Sequence, residues 1–180
     1  MIRCLKANVT QDEALRTFRA SGLSWLLWRM RTGPLQRIAD VYVPFRLYRV
    51  RYALNKEKVQ RILAMDAVDG SLDLFEFRTA PADAELIDVQ TRNFLPSSLA
   101  YEAARQILRD KALRIVFQQG FFKMRDASLE IEELPSDIHL PYWLGFYGTN
   151  DALRCRAMDA VRRKLEGARA SAFFEQWLAA

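Results

Sequence analysis

Two stretches of the chain alternate between apolar and other residues with a period of two, and each carries a proline at the same point. The first is VYVPFRLY at 41–48 and the second is IHLPYWLG at 138–145. Aligning the two prolines brings together four apolar pairs, which are Val41 with Ile138, Val43 with Leu140, Phe45 with Tyr142 and Leu47 with Leu144. A period of two places such residues on one face of a β-strand. The pattern therefore predicts two related strands, each with one buried face.

A helix-like segment precedes each of these strands. The first segment is DEALRTFRASGLSWLLWRM. It follows Thr10, and Glu13 lies three residues after that threonine, which is a capping-box pattern. The second segment, YEAARQILRDKALRIVFQQ, follows Ser97 and Ser98, and both serines suit the N-cap position. The order helix, proline strand, turn and second strand thus occurs twice along the chain.

The last strand of each copy ends in the same pentapeptide, AMDAV, at 64–68 and 157–161. Its place in the same order of elements favours an internal duplication over chance. The second copy is longer before its proline strand, where Leu129, Ile131 and Leu134 predict an added or lengthened strand.

The aspartate of the pentapeptide has a structural interpretation. Asp66 leads into Asp69-Gly70, a tight-turn signal because glycine accepts a positive φ. An aspartate at a strand end can accept hydrogen bonds from the backbone N–H groups of such a turn. Asp66 and its counterpart Asp159 are therefore predicted to form Asx-turns rather than to carry out chemistry.

These patterns predict an α+β fold. It is an internal duplication of a unit made of one helix and an antiparallel sheet, with an extra C-terminal helix. The first unit spans 1–77 and the second spans 99–166. Residues 78–98 form a connector, in which ELIDV suits a short strand, and residues 167–180, with ARASAFFEQWLAA, form the extra helix. The two units are expected to pack as one globular body.

Charge is distributed unevenly over this frame. The net charge is +5, yet residues 1–61 carry 13 basic and 4 acidic side chains, whereas residues 126–151 carry 6 acidic and none basic. A nucleic-acid surface is one interpretation, and charge compensation between the two halves is the simpler one. No apolar run reaches the roughly 18–20 residues that cross a bilayer, and the start of the chain has no apolar stretch typical of a secretory signal. A cytoplasmic protein is expected.

The residues that usually carry catalysis or bind metal are few. Cys4 and Cys155 are the only cysteines and His139 is the only histidine. Two separate free thiols are predicted, with a single disulfide as the alternative. Three such residues cannot supply the four ligands of a structural zinc site, and no GxGxxG or P-loop motif is present. A catalytic triad would have to use His139, for which a half-buried structural place is expected, so no enzyme class, cofactor or metal is predicted.

Three short motifs of the first unit occur together in a known family. They are Glu13-Ala14 at the start of the helix, YRVRY at 48–52 in the strand and MDAVDG at 65–70 in the last hairpin. In these motifs the first unit resembles the PepSY family. The second unit keeps Glu102-Ala103 and Met158-Asp159-Ala160 but lacks the glycine. The resemblance implies one helix laid across a small antiparallel sheet, used for binding or inhibition rather than for catalysis.

The sheet face opposite the apolar stripe is predicted to carry the binding site. Its aromatic, arginine and histidine side chains are Tyr42, Arg46, Tyr48, His139 and Trp143. Such a face can bind a protein or stack on bases if it is open, and it becomes core if the other unit or the last helix covers it. We expect a non-enzymatic module, adaptor-like or inhibitor-like, that binds another protein through this face. The alternatives are nucleic-acid binding through the basic N-terminal third and a small-molecule pocket between the units. Formation of a homodimer is compatible with each of these functions.

Overall fold

The computed structural model of the protein describes residues 1–19, 32–54, 57–118, 129–148 and 154–179. These residues form an α+β fold with one eight-stranded sheet and three helices. The strands are β1 (Ile2–Leu5), β2 (Leu35–Leu54), β3 (Glu57–Asp66), β4 (Phe75–Phe77), β5 (Leu86–Val89), β6 (Leu129–Tyr147), β7 (Arg154–Asp159) and β8 (Lys164–Leu165). The helices are α1 (Gln11–Arg19), α2 (Tyr101–Gln118) and α3 (Ala168–Ala179), and a 3₁₀ turn at Asp83–Glu85 leads into β5.

The two proline strands, β2 and β6, form the centre of the sheet and pair antiparallel over almost their whole lengths. β3 and β4 extend the sheet beyond β2, whereas β1, β5, β7 and β8 extend it beyond β6. Parallel pairing occurs at two points of the described chain, between Cys4 and His139 and between Tyr42 and Phe94. The predicted α+β class is confirmed, and a single sheet contains both proline strands.

The predicted apolar stripes form one face of this sheet, called face A here. Its side chains on the two central strands are Val41, Val43, Phe45 and Leu47 on β2 and Ile138, Leu140, Tyr142 and Leu144 on β6, all buried. The C-terminal helix α3 is present as predicted and covers this face, with the ring of Phe174 centred 5.5 Å from that of Tyr142. Burying one such side chain contributes roughly 1.5–3 kcal/mol, so face A holds most of the hydrophobic stabilisation.

The opposite face, face B, is covered at its two ends by α1 and α2. α2 buries Ala104 and Leu108 against β2 and β3. α1 buries Ala14 and Phe18 against β6 and β7, and the Tyr147 hydroxyl donates a hydrogen bond to the Phe18 carbonyl oxygen at 2.9 Å. Each helix therefore packs on the hairpin of the other half of the chain.

The two hairpins pair in the same way although their loops differ in length. In each, the aspartate of the pentapeptide lies opposite the residue that follows the proline, which is Phe45 in the first and Tyr142 in the second. The proline carbonyl accepts a hydrogen bond from the N–H of the alanine after that aspartate, at 2.8 Å in the first hairpin and 3.0 Å in the second. The register around the two aspartates is thus equivalent.

Several local predictions are confirmed. The Thr10 N–H donates to Glu13 Oε2 at 2.8 Å and the Glu13 N–H donates to Thr10 Oγ1 at 3.3 Å, which is the predicted capping box. The ELIDV segment contains β5, and the stretch from Leu129 begins β6. The tryptophan-containing segment 24–30 of the first predicted helix lies outside the described residues, as does most of the second hairpin loop.

The prediction that Ser97 or Ser98 caps the second helix is wrong. α2 begins at Tyr101, and the Ala100 carbonyl accepts the first helical hydrogen bond, so Ala100 takes the N-cap position. The Ser98 hydroxyl instead donates to the Val68 carbonyl oxygen at 2.8 Å. The serines therefore fasten the connector to the turn after β3 rather than start the helix.

Candidate functional site

The middle of face B is covered by neither α1 nor α2. On β2 this region lies between Ile38, which packs with α1, and Tyr48, which packs with α2. On β6 it lies between Trp143, which packs with α1, and Ile131, which packs with α2. We call it the central strip, and its members are Tyr42 and Arg46 of β2, Asp137 and His139 of β6, and Phe94, whose backbone bridges to β2. All five side chains are at least partly exposed.

The pairing of the two long strands sets the boundaries of the central strip. Arg46 lies opposite Asp137, whereas the next pair along is Tyr48 with Glu133. Between these two pairs β6 contains two more residues than β2, so the register shifts there. Such an irregularity bends and twists a strand locally, which separates the central strip from the part of the sheet beneath α2.

Arg46 supplies the positive charge of the central strip. Its half-buried side chain donates one hydrogen bond, from Nη2 to Ser97 Oγ at 3.2 Å, and makes no ion pair with a described residue. By contrast, Arg49 on the same strand contacts Glu132 at 2.9 Å. Arg46 also acts on the hydroxyl of Tyr48, but a guanidinium has five N–H donors, so donors remain that suit a carboxylate from outside.

His139 is held in one tautomer at neutral pH. Its Nδ1 lies 3.3 Å from the Arg3 carbonyl oxygen, which can only accept, so Nδ1 carries the hydrogen and Nε2 is left as an acceptor. Burial lowers the pKa of His139 below its ordinary value, against the opposing effect of this hydrogen bond. The Phe94 ring stands edge-on to the imidazole, with centroids 6.2 Å apart, so the strip joins an apolar ring to a neutral histidine.

Tyr42 adds a second polar aromatic group. Burial first, and the neighbouring Asp40 carboxylate second, raise the pKa of Tyr42 to about 12. The side chain is therefore a neutral phenol under physiological conditions. Asn93 Nδ2 donates to Asp40 Oδ1 at 3.2 Å, which ties the connector to β2 beside the central strip.

The fold places Cys4 next to His139 on parallel strands. The thiol is buried, burial raises the pKa of Cys4 to about 12, and its Sγ donates to the Leu5 carbonyl oxygen at 3.0 Å. A nucleophilic cysteine needs a lowered pKa and a base that takes its proton. The pair therefore lacks the activation of a Cys-His centre. Cys155 is also buried, and both thiols are free, as predicted.

The structure divides the five predicted binding residues into two groups. Tyr42, Arg46 and His139 lie together in the central strip. Tyr48 is fully buried beneath α2, and Trp143 is half-buried beneath α1, where its indole N–H donates to the Val9 carbonyl oxygen at 3.1 Å. One part of the predicted face is thus accessible, and the two ends belong to the packing of the helices.

Phe94 and Asp137 were not predicted to belong to the site. Phe94 is 40 % exposed, which is high for a phenylalanine, and it lies in the predicted connector, outside the segment expected to form a strand. A usable signal was present, because Phe94-Leu95 stands before the second helix as Cys4-Leu5 stands before the first. Both pairs prove to bridge in parallel to a proline strand.

The aspartates of the pentapeptide form buried turns. Asp66 Oδ1 accepts hydrogen bonds from the N–H groups of Asp69 at 3.1 Å and Gly70 at 2.8 Å, and Oδ2 accepts one from Leu72 at 2.9 Å. Gly70 has a φ of +72°, which a glycine adopts without strain. Burial raises the pKa of Asp66, while these hydrogen bonds oppose the rise.

Asp159 fills the equivalent place with a different set of donors. Its Oδ1 accepts from the N–H groups of Val161 at 2.8 Å and Arg162 at 2.7 Å. Its Oδ2 is satisfied by the Arg162 guanidinium at 2.6 Å, and the same guanidinium reaches Glu166 at 3.2 Å. Both aspartates therefore hold turns together, and their partners leave neither carboxylate open to a ligand.

Part of the uneven charge of the sequence is compensated by ion pairs between segments. Arg3 pairs with Asp83, Arg61 contacts Glu76 at 2.6 Å, and Glu132 is contacted by two arginines of β2. Basic residues of the first third thus pair with acidic residues from later parts of the chain, which agrees with the simpler interpretation of the charge pattern. Exposed pairs of this kind each contribute well under about 1 kcal/mol.

The described residues offer no grouping of three or more His, Cys, Asp or Glu side chains that could hold a metal ion. None of the described helices has both the length and the hydrophobicity needed to cross a bilayer. A comparison of the chain with known protein families, with curated proteins and with solved structures found no match.

Proposed function

We propose that the protein is a non-enzymatic, cytoplasmic protein-binding module, adaptor-like or inhibitor-like, whose binding surface is the central strip. The observation that carries the proposal is Arg46, a half-buried guanidinium with one hydrogen bond and no described ion pair. It stands among the aromatic side chains that line the same strip. Arginine and aromatic residues at the centre of a patch are the side chains that dominate protein–protein binding energy.

The chemistry of the strip indicates the kind of partner. The guanidinium of Arg46 suits a carboxylate, and the exposed Phe94 ring suits an apolar side chain beside it. His139 Nε2 is positioned to accept one hydrogen bond. A short segment with an acidic residue next to an aromatic or aliphatic one would satisfy all three groups together.

We further propose that the chain is a tandem of two PepSY-like units, 1–77 and 99–166, with the helices exchanged between them. Equivalent contacts support this proposal. The Asn8 N–H donates to the Ala160 carbonyl oxygen at 2.8 Å, and the Ser98 N–H donates to the Ala67 carbonyl oxygen at 2.9 Å. Each segment that leads into a helix thus donates a hydrogen bond to the fourth residue of the other copy's pentapeptide.

The test of binding uses paired variants of the full chain. Wild-type protein, Arg46→Ala and Phe94→Ser are used as baits in nuclease-treated cytosol, with Arg92→Ala, an exposed arginine of the connector outside the strip, as the matched control. Partners found by mass spectrometry are then titrated as purified proteins. We expect the control to keep wild-type affinity and each strip variant to lose at least about tenfold, the loss typical of a central arginine or aromatic contact.

Two results would contradict the proposal. One is a purified partner whose affinity is the same for wild type, Arg46→Ala and Phe94→Ser. The other is a partner whose binding is lost equally in Arg92→Ala. Unfolding midpoints in urea are recorded for every variant, so that a loss of binding is not confused with a loss of folded protein.

Nucleic-acid binding is a second candidate, favoured by the exposed face of α2. Arg105 and Arg109 are exposed one turn apart, and the Arg105 guanidinium lies 5.7 Å from the ring centre of the exposed Tyr101. Basic and aromatic side chains on one helix side suit a phosphate backbone and a base. Fluorescence anisotropy with labelled single-stranded and duplex oligonucleotides tests it. Binding that falls steeply with salt and weakens in Arg105→Gln/Arg109→Gln supports this candidate, and an absence of binding at low salt ends it.

A further inference from the structure

The first part of β6 has an outer edge that no described strand pairs with. β6 pairs with β2 on its inner side from Leu129 onward. On the outer side β1 reaches β6 at His139 and β7 pairs from Tyr142. Within the described chain, no backbone or side-chain group hydrogen-bonds to the outer side of Leu129–Leu134. Among the described residues, this segment therefore has no strand partner on its outer side, and a strand edge of this kind is a template for pairing with another chain.

The side chains along this edge alternate in a regular way. Leu129 and Ile131 lie on face B, where they are partly buried and extend the apolar cluster beneath α2. Glu130 and Glu132 lie on the other side and are exposed. Glu133 adds a buried carboxylate oxygen, Oε2, that has no hydrogen-bond partner among the described residues. Face B of this edge thus carries two apolar side chains and Glu133, which lies opposite Tyr48. The other side carries Glu132, which already contacts two arginines of β2, and Glu130, which makes no ion pair with a described residue.

We propose that Leu129–Leu134 of β6 is a docking edge for an extended, basic segment of another protein, which adds to the sheet as a further β-strand. In such an added strand, residues on one side would continue the apolar cluster beside Leu129 and Ile131. Residues on the other side would place lysine or arginine beside Glu130. Backbone hydrogen bonds supply affinity in this mode of recognition, and alternate side chains supply specificity.

Charge decides between this occupant and a second copy of the chain. Edge-to-edge pairing of two copies through this segment would bring the glutamates of one copy close to those of the other. Like charges directly opposite across strands are destabilising, whereas opposite charges stabilise the pair. A basic partner strand therefore fits the edge, and self-association through it does not.

The test uses the full chain and a fluorescent, end-blocked peptide that alternates lysine and valine. Saturable binding by anisotropy is expected, together with slower hydrogen exchange at the amides of Leu129–Leu134. Glu130→Lys should weaken binding by about fivefold, since it replaces an attractive cross-strand pair by a repulsive one. Asp88→Lys is the matched control, because Asp88 is an exposed acid on β5, another edge strand, and it should leave the affinity unchanged.

A second peptide separates strand addition from simple charge attraction. It has the same sequence with alternate backbone amides N-methylated, which removes donors and keeps the charges, so it should bind at least about tenfold more weakly. Equal binding of both peptides, protection confined to β5, or no saturable binding would overturn the proposal. Arg46→Ala should leave peptide binding unchanged, so failure at this edge and failure of the central strip are told apart.

Discussion

At the scale of single residues, the two turns after the pentapeptides reach one conformation with different residues. Gly70 has a φ of +72°, and Arg163, which stands at the equivalent place in the second turn, has a φ of +59°. A residue with a Cβ pays roughly 1–2 kcal/mol for this left-handed conformation, and glycine does not. The second turn is therefore strained where the first is relaxed.

Exchanging the residue types at these two positions should have opposite effects. Arg163→Gly should raise the free energy of unfolding by about 0.5 kcal/mol, because relief of strain exceeds the added chain entropy of glycine. Gly70→Ala should lower it by about 2 kcal/mol, since a Cβ there adds strain and lies 3.1 Å from the Ile107 side chain. Urea denaturation measures both, and a destabilised Arg163→Gly protein would contradict the assignment of strain.

The lone histidine gives a pH dependence of known sign. Burial lowers the pKa of His139 in the folded protein below the value of 6.5 that an unperturbed histidine has. The unfolded chain therefore binds this proton more readily, so stability is fully present above that value and falls as the pH drops towards the folded pKa. His139→Gln should show a shallower loss of urea midpoint between neutral and mildly acidic pH than wild type.

The comparison isolates the imidazole because the same buried carboxyl groups are present in both proteins. The Cε1 proton of the only histidine can also be followed by NMR. A titration midpoint above that of a model histidine peptide would show that the sign of the shift is wrong.

At the scale of elements, the packing of α1 on β6 depends on one close contact, between Phe18 and Gly145. A Cβ built on Gly145 of β6 would lie 2.9 Å from Cγ of the Phe18 ring. The absence of a side chain at Gly145 is thus what lets the phenylalanine of α1 reach the strand. No such fit is visible from either segment alone.

Gly145→Ala should therefore destabilise the protein by about 2 kcal/mol through overpacking. Phe18→Leu, which makes room, should cost less in the Gly145→Ala background than in wild type, with a coupling of about 1 kcal/mol in a double-mutant cycle. Additive effects in the cycle would mean that α1 does not pack on β6. Circular dichroism in urea is sufficient for all four proteins.

The elements that the sequence predicted well are those set by local pattern. The alternation around Pro44 and Pro141 placed eight side chains on one face, and all eight are buried there. Which hairpin each helix packs on was beyond prediction, because α1 and α2 bury the same kind of face, an alanine and a large apolar residue four positions on. Either helix suits either hairpin locally, so the choice depends on contacts far apart in the sequence.

The candidate site was predictable only in part for the same reason. The face of Tyr42, Arg46 and His139 follows from strand alternation. Three further features depend on how distant segments pack on the sheet. Tyr48 is covered by α2, Trp143 is covered by α1, and Phe94 comes from the connector. Long-range packing therefore reduced the predicted face to its middle and added residues to it.

At the scale of the whole molecule, the halves depend on one another. The longest strand pairing of β2 is with β6. α1 and α2 each pack on strands of the other half of the chain. Fragments 1–90 and 91–180 should each be unfolded alone, because each holds a helix without its strands and a central strand without its neighbour. Mixed or co-expressed, they should form a one-to-one complex with the NMR spectrum of the intact chain.

Size-exclusion chromatography and amide spectra of the separate fragments check this expectation. A folded 1–90 fragment with slowly exchanging amides would contradict it, because the first half would then be a self-sufficient domain. Equilibrium unfolding of the intact chain should likewise show one transition, the same by fluorescence and by circular dichroism.

The packing of α1 on strands of the other half also limits the order in which a newly made chain can fold. Phe18 and Tyr147 are in contact although 129 positions separate them. At the usual rates of synthesis, α1 leaves the ribosome on the order of ten seconds before the strand that receives it. During that interval the strands on which α1 packs have not yet been made, so its apolar face cannot form the contacts of the folded protein. The hairpin of β6 and β7 must therefore be synthesised before α1 can reach the strands on which it packs in the folded protein.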